Sequence, residues 1–105
     1  MKFCYWDVRG LGEPARYLLR WSETTWEETP KTPGMEEFQK WHSGEKHSLG
    51  LDLPNLPWLI DGDINVTQSL AIVRYLARKF GLVPGEDQRD IVRVDMAEQE
   101  IMDFR

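Results

Sequence analysis

The chain has 105 residues, 41% of them hydrophobic and 30% charged, with a formal net charge of −5. That is enough for one small domain with one core, and too apolar for a disordered segment. Its lysines and arginines are scattered among acids, which argues against nucleic acid as the main partner, and no stretch approaches the ~20 apolar residues of a membrane span.

The opening Met1-Lys2-Phe3-Cys4-Tyr5-Trp6-Asp7 lacks the apolar centre of a secretory signal, and the single cysteine, Cys4, cannot form an internal disulfide. Both features predict a soluble, cytoplasmic protein. Phe3 to Val8 is short, aromatic and β-prone, and reads as a first strand ended by Gly10-Leu11-Gly12. Pro14 suits the first turn of a helix, where its missing N–H is not needed. Ala15, Leu18, Leu19 and Ser22 then recur at helical spacing, and Tyr17 and Trp21 form a second stripe, so the helix is expected to be covered on more than one side. Thr25 to Thr29 suits a second strand, stopped by Pro30 and Pro33. Residues 35–48 are polar and irregular, a weak helix or a structured loop.

Leu53-Pro54-Asn55-Leu56-Pro57 is a stiff turn feeding a third strand, Trp58-Leu59-Ile60. Asp61-Gly62 signals a hairpin, with Ile64 to Val66 returning. Thr67 is a candidate cap for the next helix, whose expected apolar stripe is Val73, Leu76, Ala77 and Phe80. Arg78 and Lys79 fit its last turn and Gly81 its stop. Ile91, Val94, Ala97, Ile101 and Phe104 line one face of a last helix that carries no stop signal, so a covering surface is expected, from further sequence or from another chain. The order β-α-β, loop, β-β-α predicts an α/β fold of the thioredoxin-like class with a mixed four-stranded sheet. Residues 1–82 would form that domain, 83–87 a linker, and 88–105 the first helix of an all-α domain.

Four runs carry a resemblance. They are Tyr5-Trp6-Asp7-Val8-Arg9-Gly10-Leu11; Leu49 through Gly62; Thr67-Gln68-Ser69 with Ala71-Ile72 and Tyr75-Leu76-Ala77-Arg78-Lys79; and Arg93-Val94-Asp95 with Met102-Asp103. In this order and spacing the sequence resembles the glutathione-binding half of mu-class cytosolic glutathione S-transferases. The resemblance implies conjugation of the glutathione thiol to electrophilic small molecules, by a homodimer, with glutathione as co-substrate and no metal or other cofactor. It makes Tyr5 the catalytic tyrosine, its hydroxyl donating to the sulfur. Trp6 and Leu11 would line the site, and Trp41 and Lys46 would hold the glycine carboxylate. Asn55 and the Leu56 backbone would contact the peptide, with Pro57 the cis-proline that aims that backbone. Gln68 and Ser69 would bind the γ-glutamyl carboxylate. Asp103 would reach the γ-glutamyl amine of the neighbouring subunit's glutathione. Leu53, Arg74, Asp95 and Glu98 would lie at the dimer interface.

Three departures accompany the likeness. Cys4 stands where mu-class chains have Gly. Leu53 stands where they have a Phe that inserts into the partner, which predicts a weaker or different dimer contact. The segment between Trp41 and Lys46 is one residue longer.

Without those runs the same residues have plainer readings. Tyr5 and Trp6 are core aromatics, Trp41 is a surface aromatic in an irregular loop, Gln68 and Ser69 begin a helix, and Pro57 is trans. His42 and His47 read as solvated, without a metal-ligand pattern. Gly10-x-Gly12-x-x-Ala15 imitates a dinucleotide fingerprint, but the later segments form a hairpin and not further crossovers. Two other functions compete with the transferase: a non-catalytic binding or dimerisation module of the same fold, and a thiol–disulfide protein working through Cys4.

Overall fold

The computed structural model describes residues 1–103. Four strands form one mixed sheet in the order β2-β1-β3-β4: β1 Lys2–Cys4, β2 Glu27–Glu28, β3 Trp58–Asp61 and β4 Ile64–Thr67. β2 runs parallel to β1, while β3 is antiparallel to both β1 and β4. The helices are α1 Glu13–Trp21, α2 Met35–Ser43, α3 Ser69–Lys79 and α4 Gln88–Met102, with short 3-10 turns at Gly10–Gly12 and Glu45–His47. This is the expected thioredoxin-like arrangement.

Strand alternation divides the interior in two. Phe3 lies opposite Leu59 in the register, and both enter a core shared with Tyr5, Ala15 and Leu19 of α1, and Ile72 and Leu76 of α3. Cys4 lies opposite Trp58, and these face the other way, into a smaller cluster with Leu51 and Trp41. The smaller cluster is less well satisfied. The Trp58 indole N–H is buried without an acceptor among the described residues.

Several elements differ from expectation for identifiable reasons. The first strand is shorter, because the chain curls after Cys4. The Val8 N–H donates back to the Trp6 carbonyl at 2.7 Å, a tight three-residue turn. Trp6 keeps only an isolated parallel bridge to Lys31. Residues 35–43 are a true helix, although Trp41 is its one buried side chain. Lys40, in ion pairs with Glu36 and Glu37, supports it from the surface. Thr67 does not cap α3: its hydroxyl donates to the Leu53 carbonyl at 2.7 Å, and Gln68 takes the cap position. The buried stripe of α3 is Ile72 and Leu76, with Val73, Ala77 and Phe80 flanking it.

Tyr17 and Trp21 are exposed, so the outer face of α1 is uncovered among the described residues. α4 is capped by Asp87, whose carboxylate accepts from the Arg89 N–H at 2.9 Å, and it buries none of its residues. Arg74 of α3 reaches Glu98 of α4 in a two-pronged ion pair at 2.8 and 2.7 Å. Phe104, the last member of the expected stripe, lies outside the described residues. No described helix is long and apolar enough to cross a membrane.

Candidate functional site

Tyr5 follows β1 and its ring joins the main core, leaving the residue 8% exposed. The turn beside it is shaped around that ring. A Cβ at Gly12 would lie 2.5 Å from Tyr5 Cδ1, and one at Gly10 would lie 2.9 Å from the hydroxyl oxygen. Real side chains do not approach so closely, so the two glycines are what lets the 10–12 turn fold over the aromatic. The Leu11 N–H donates to the Tyr5 hydroxyl at 3.3 Å. The oxygen is thus an acceptor, and among the described residues no acceptor meets the phenol's own hydrogen.

Arg16 holds this corner together. It is 5% exposed, on the buried side of α1. Its guanidinium donates to Glu28 of β2 at 2.7 Å and to Glu13 at 3.0 Å. It also donates to the carbonyls of Val8 at 2.7 Å and Trp6 at 3.1 Å. One side chain therefore ties the curl after β1 to the helix and the edge strand. Burial by itself would lower the Arg16 pKa, but the bonds to Glu28 and Glu13 outweigh it and hold the group above its ordinary value. Burial likewise pushes the Glu13 carboxyl up, and the bonds from Arg16 and Arg20 bring it below the usual glutamate value. No pattern in the sequence marked this residue, because a lone Arg on a helix reads as a surface charge.

Trp41 is 3% exposed and packs with Cys4, Leu51 and Trp58, so it is not a surface aromatic. Lys46 sits half-buried in the 3-10 turn that follows α2. The Leu56–Pro57 peptide bond is cis. Leu56 packs against both clusters, and its N–H donates to Asn55 Oδ1 at 2.9 Å. Gln68 is exposed and has φ of +73°, a conformation that side chains other than glycine seldom adopt. Ser69 opens α3, where the first backbone N–H groups lack helical partners. Leu11 and Trp6 pack on the core beside Tyr5. Asp103 is exposed at the end of α4 and makes no side-chain hydrogen bond to the other candidates. Leu53 is 71% exposed.

An apolar groove lined by Trp6, Val8, Pro33, Met35 and Phe38 opens beside this corner. The sequence reading missed Val8, Met35 and Phe38, since scattered apolar residues in a polar segment carry no period. Cys4 Sγ donates to the Thr29 carbonyl at 3.2 Å, and burial pushes its thiol up to about 11. Almost no thiolate exists there at neutral pH, and the thiolate is the reactive form. His42 is exposed and packs against Phe38, with ring centroids 4.2 Å apart and the planes tilted by 49°.

A family model described as "Glutathione S-transferase, N-terminal domain" matches residues 1–78. The chain belongs to the glutathione S-transferase family. Glutathione S-transferase Mu 1 of Oryctolagus cuniculus is 52% identical over all of this chain and 49% of its own length. Glutathione S-transferase Mu 2 of Mus musculus is 47% identical over the same shares. Among solved structures, the glutathione S-transferase Blo t 8 is 41% identical with a TM-score of 0.84, covering 98% of this chain and 46% of that one. A Nu-class transferase from Haemonchus contortus is 33% identical with a TM-score of 0.76, over 98% and 46%. This transferase-family chain spans about half the length of the curated relatives it matches, and mu-class relatives match it over its whole length.

Proposed function

We propose that the polypeptide carrying this sequence is a glutathione transferase that adds the glutathione thiolate to electrophilic small molecules. The observation that carries the reading is the Tyr5 hydroxyl, which accepts from the Leu11 N–H and whose own hydrogen meets no acceptor among the described residues. A free thiol has a pKa of about 8.5, so only a few per cent is thiolate at neutral pH. Each unit of lowering needs about 1.4 kcal/mol. A hydrogen bond to a charged group contributes about 1.5–3 kcal/mol. One phenol O–H aimed at the sulfur therefore lowers its pKa by roughly one to two units, which makes the thiolate a major species with no metal or other cofactor.

In this reading the tripeptide lies along the line from Trp41 and Lys46, past Leu56 and the cis-proline, to Gln68 and Ser69. Lys46 answers the glycine carboxylate. The Ser69 end of α3 answers the γ-glutamyl carboxylate, helped by the free N–H groups and the positive end of the helix dipole. Asn55 already occupies the Leu56 N–H, so a peptide ligand must share that donor or take the Leu56 carbonyl. The apolar groove of Trp6, Val8, Met35 and Phe38 suits the electrophile. The protein is read as a cytoplasmic homodimer. Its contact would include exposed Leu53 and the Arg74, Asp95 and Glu98 cluster, with Asp103 reaching the neighbouring subunit's glutathione. Residues 1–82 are read as the glutathione-binding domain, 83–87 as a linker and 88–105 as the start of a helical domain. A thiol–disulfide role for Cys4 is disfavoured by its raised pKa and its burial.

Calorimetric titration of the native polypeptide with glutathione in buffers of different ionisation enthalpy tests the reading. Binding near pH 7.5 should release a large fraction of a proton, since the bound thiol titrates below the free one. Binding without proton release, or no binding, would rule the chemistry out.

Gln68 yields a second expectation. A side chain held at its φ costs about 1–3 kcal/mol, and such strain persists where a site requires it. Gln68→Gly should therefore raise the melting temperature by a few degrees while raising the glutathione KM several-fold. An unchanged or lower melting temperature would show that the backbone is not strained.

A further inference from the structure

We propose that Lys31 is the positioning residue for the arm that carries Trp41 and Lys46, holding it in the pose that receives the glycine end of glutathione. This rests on the glutathione reading above. The arm is α2 with its following 3-10 turn, residues 35–47, and it has few attachments. Trp41 is its one buried side chain, and the cluster that receives Trp41 contains the Trp58 indole N–H, which has no acceptor among the described residues. The hydrogen bonds of α2 and the 3-10 turn run inside the arm or to its chain neighbours Gly34 and Ser48, with one exception among the described residues.

That exception is Lys31. Its backbone is fixed on the sheet edge: its N–H donates to the Tyr5 carbonyl at 2.9 Å and its carbonyl accepts from the Asp7 N–H at 2.8 Å. The residue is 8% exposed, unusual for a lysine. The ammonium lies 2.5 Å from Glu45 of the 3-10 turn and 3.9 Å from Glu37 of α2. It also lies 5.8 Å from the centre of the Trp41 ring. One cation thus grips both pieces of the arm and sits over the aromatic between them. It is engaged by two carboxylates, so it acts on the ligand through Trp41 and Lys46 and does not itself bind the tripeptide. Lys31 bridges to Trp6 in the sheet, so the same residue joins the arm to the strand end that presents Tyr5.

Loss of a charge-assisted bond of this kind should loosen the arm locally, by about tenfold in its opening equilibrium. The experiment compares the native polypeptide with Lys31→Met, Lys31→Arg and Glu45→Gln by amide hydrogen exchange and by steady-state kinetics. Lys31→Met should speed exchange in residues 35–47 about tenfold while α1 and α3 are unchanged, and raise the glutathione KM about five- to tenfold with kcat nearly constant. Lys31→Arg should restore most of both. Glu45→Gln removes the bond from its more exposed side. It should reproduce the Lys31→Met pattern, and it decides the matter if Lys31→Met does not fold. Unchanged exchange in the arm, or faster exchange throughout the domain, would overturn the proposal. Failure of the glutathione reading looks different: the arm would loosen as described, but the unsubstituted polypeptide would not bind glutathione, and the ligand half of the proposal would fall.

Discussion

Tyr5→Phe should lower the rate of conjugation at neutral pH by about ten- to a hundredfold, with the glutathione affinity changed little. The substitution removes one oxygen and keeps the ring. The ring is what fills the space under Gly10 and Gly12 and joins the core with Phe3, Ala15 and Leu19. The bond lost inside the protein, from the Leu11 N–H, is long at 3.3 Å, so the fold should persist. What disappears is the proposed donor to the sulfur. The thiol of bound glutathione should then titrate one to two units higher, and the pH–rate profile should move towards alkaline pH by the same amount. Rates measured across a pH series with a chromogenic electrophile provide the check. A variant with the parent rate and the parent profile at low pH would remove Tyr5 from the chemistry.

The second large effect is on stability. Arg16→Met should destabilise the domain by about 3 kcal/mol, because removing the central partner of a buried ionic network leaves a buried carboxylate uncompensated. Four acceptors lose a donor: the Glu28 carboxylate and the Val8 carbonyl are left without a partner among the described residues, while Glu13 keeps Arg20 and the Trp6 carbonyl keeps the Val8 N–H. Both carboxylates retain only 17% side-chain exposure, so water replaces the guanidinium poorly. Arg16→Lys should recover part of the loss and not all, since one ammonium cannot reproduce the planar fork that serves two elements and two carbonyls.

The pH dependence has a defined sign. The Glu13 carboxyl is held below its ordinary value of 4.5, so its contribution is complete above that pH and disappears as the pH falls through the lowered value. Arg16→Met should show a shallower loss of stability in that acid range. Urea unfolding of the native polypeptide and the variants, repeated between neutral and acid pH, measures both effects. A stability within about 1 kcal/mol of the parent would show that the network contributes little.

Much of the scaffold could be read from local chemistry. Pro14 opens α1, Asp61-Gly62 turns the hairpin, and Phe3, Leu19, Leu59 and Leu76 lie in the core that alternation and helical spacing imply. The motif runs led to the family and to a Pro57 that is cis.

What could not be read has physical causes. α2 is stabilised by Lys40 with two glutamates and by one inward Trp, so its sequence lacks an apolar stripe. Thr67 has the chemistry of a cap, but a carbonyl distant in sequence, that of Leu53, competes for its hydroxyl. Arg16 and Lys31 look like ordinary surface cations until the fold sets carboxylates and carbonyls around them. Long-range polar networks have no period, and that is why both escaped a reading built on periods.

The close fit between the aromatic at position 5 and the bare backbone at positions 10 and 12 limits how this scaffold could be redesigned. Swapping the phenol for a serine or cysteine, to try a different activating group, would leave a hollow the size of a benzene ring in the core under that turn. The neighbouring turn, bare at positions 10 and 12, could not fill it. A useful redesign would therefore change positions 5 and 12 together, adding bulk on the turn as it is removed from the strand end, and keep Gly10, whose φ of +38° disfavours a side chain.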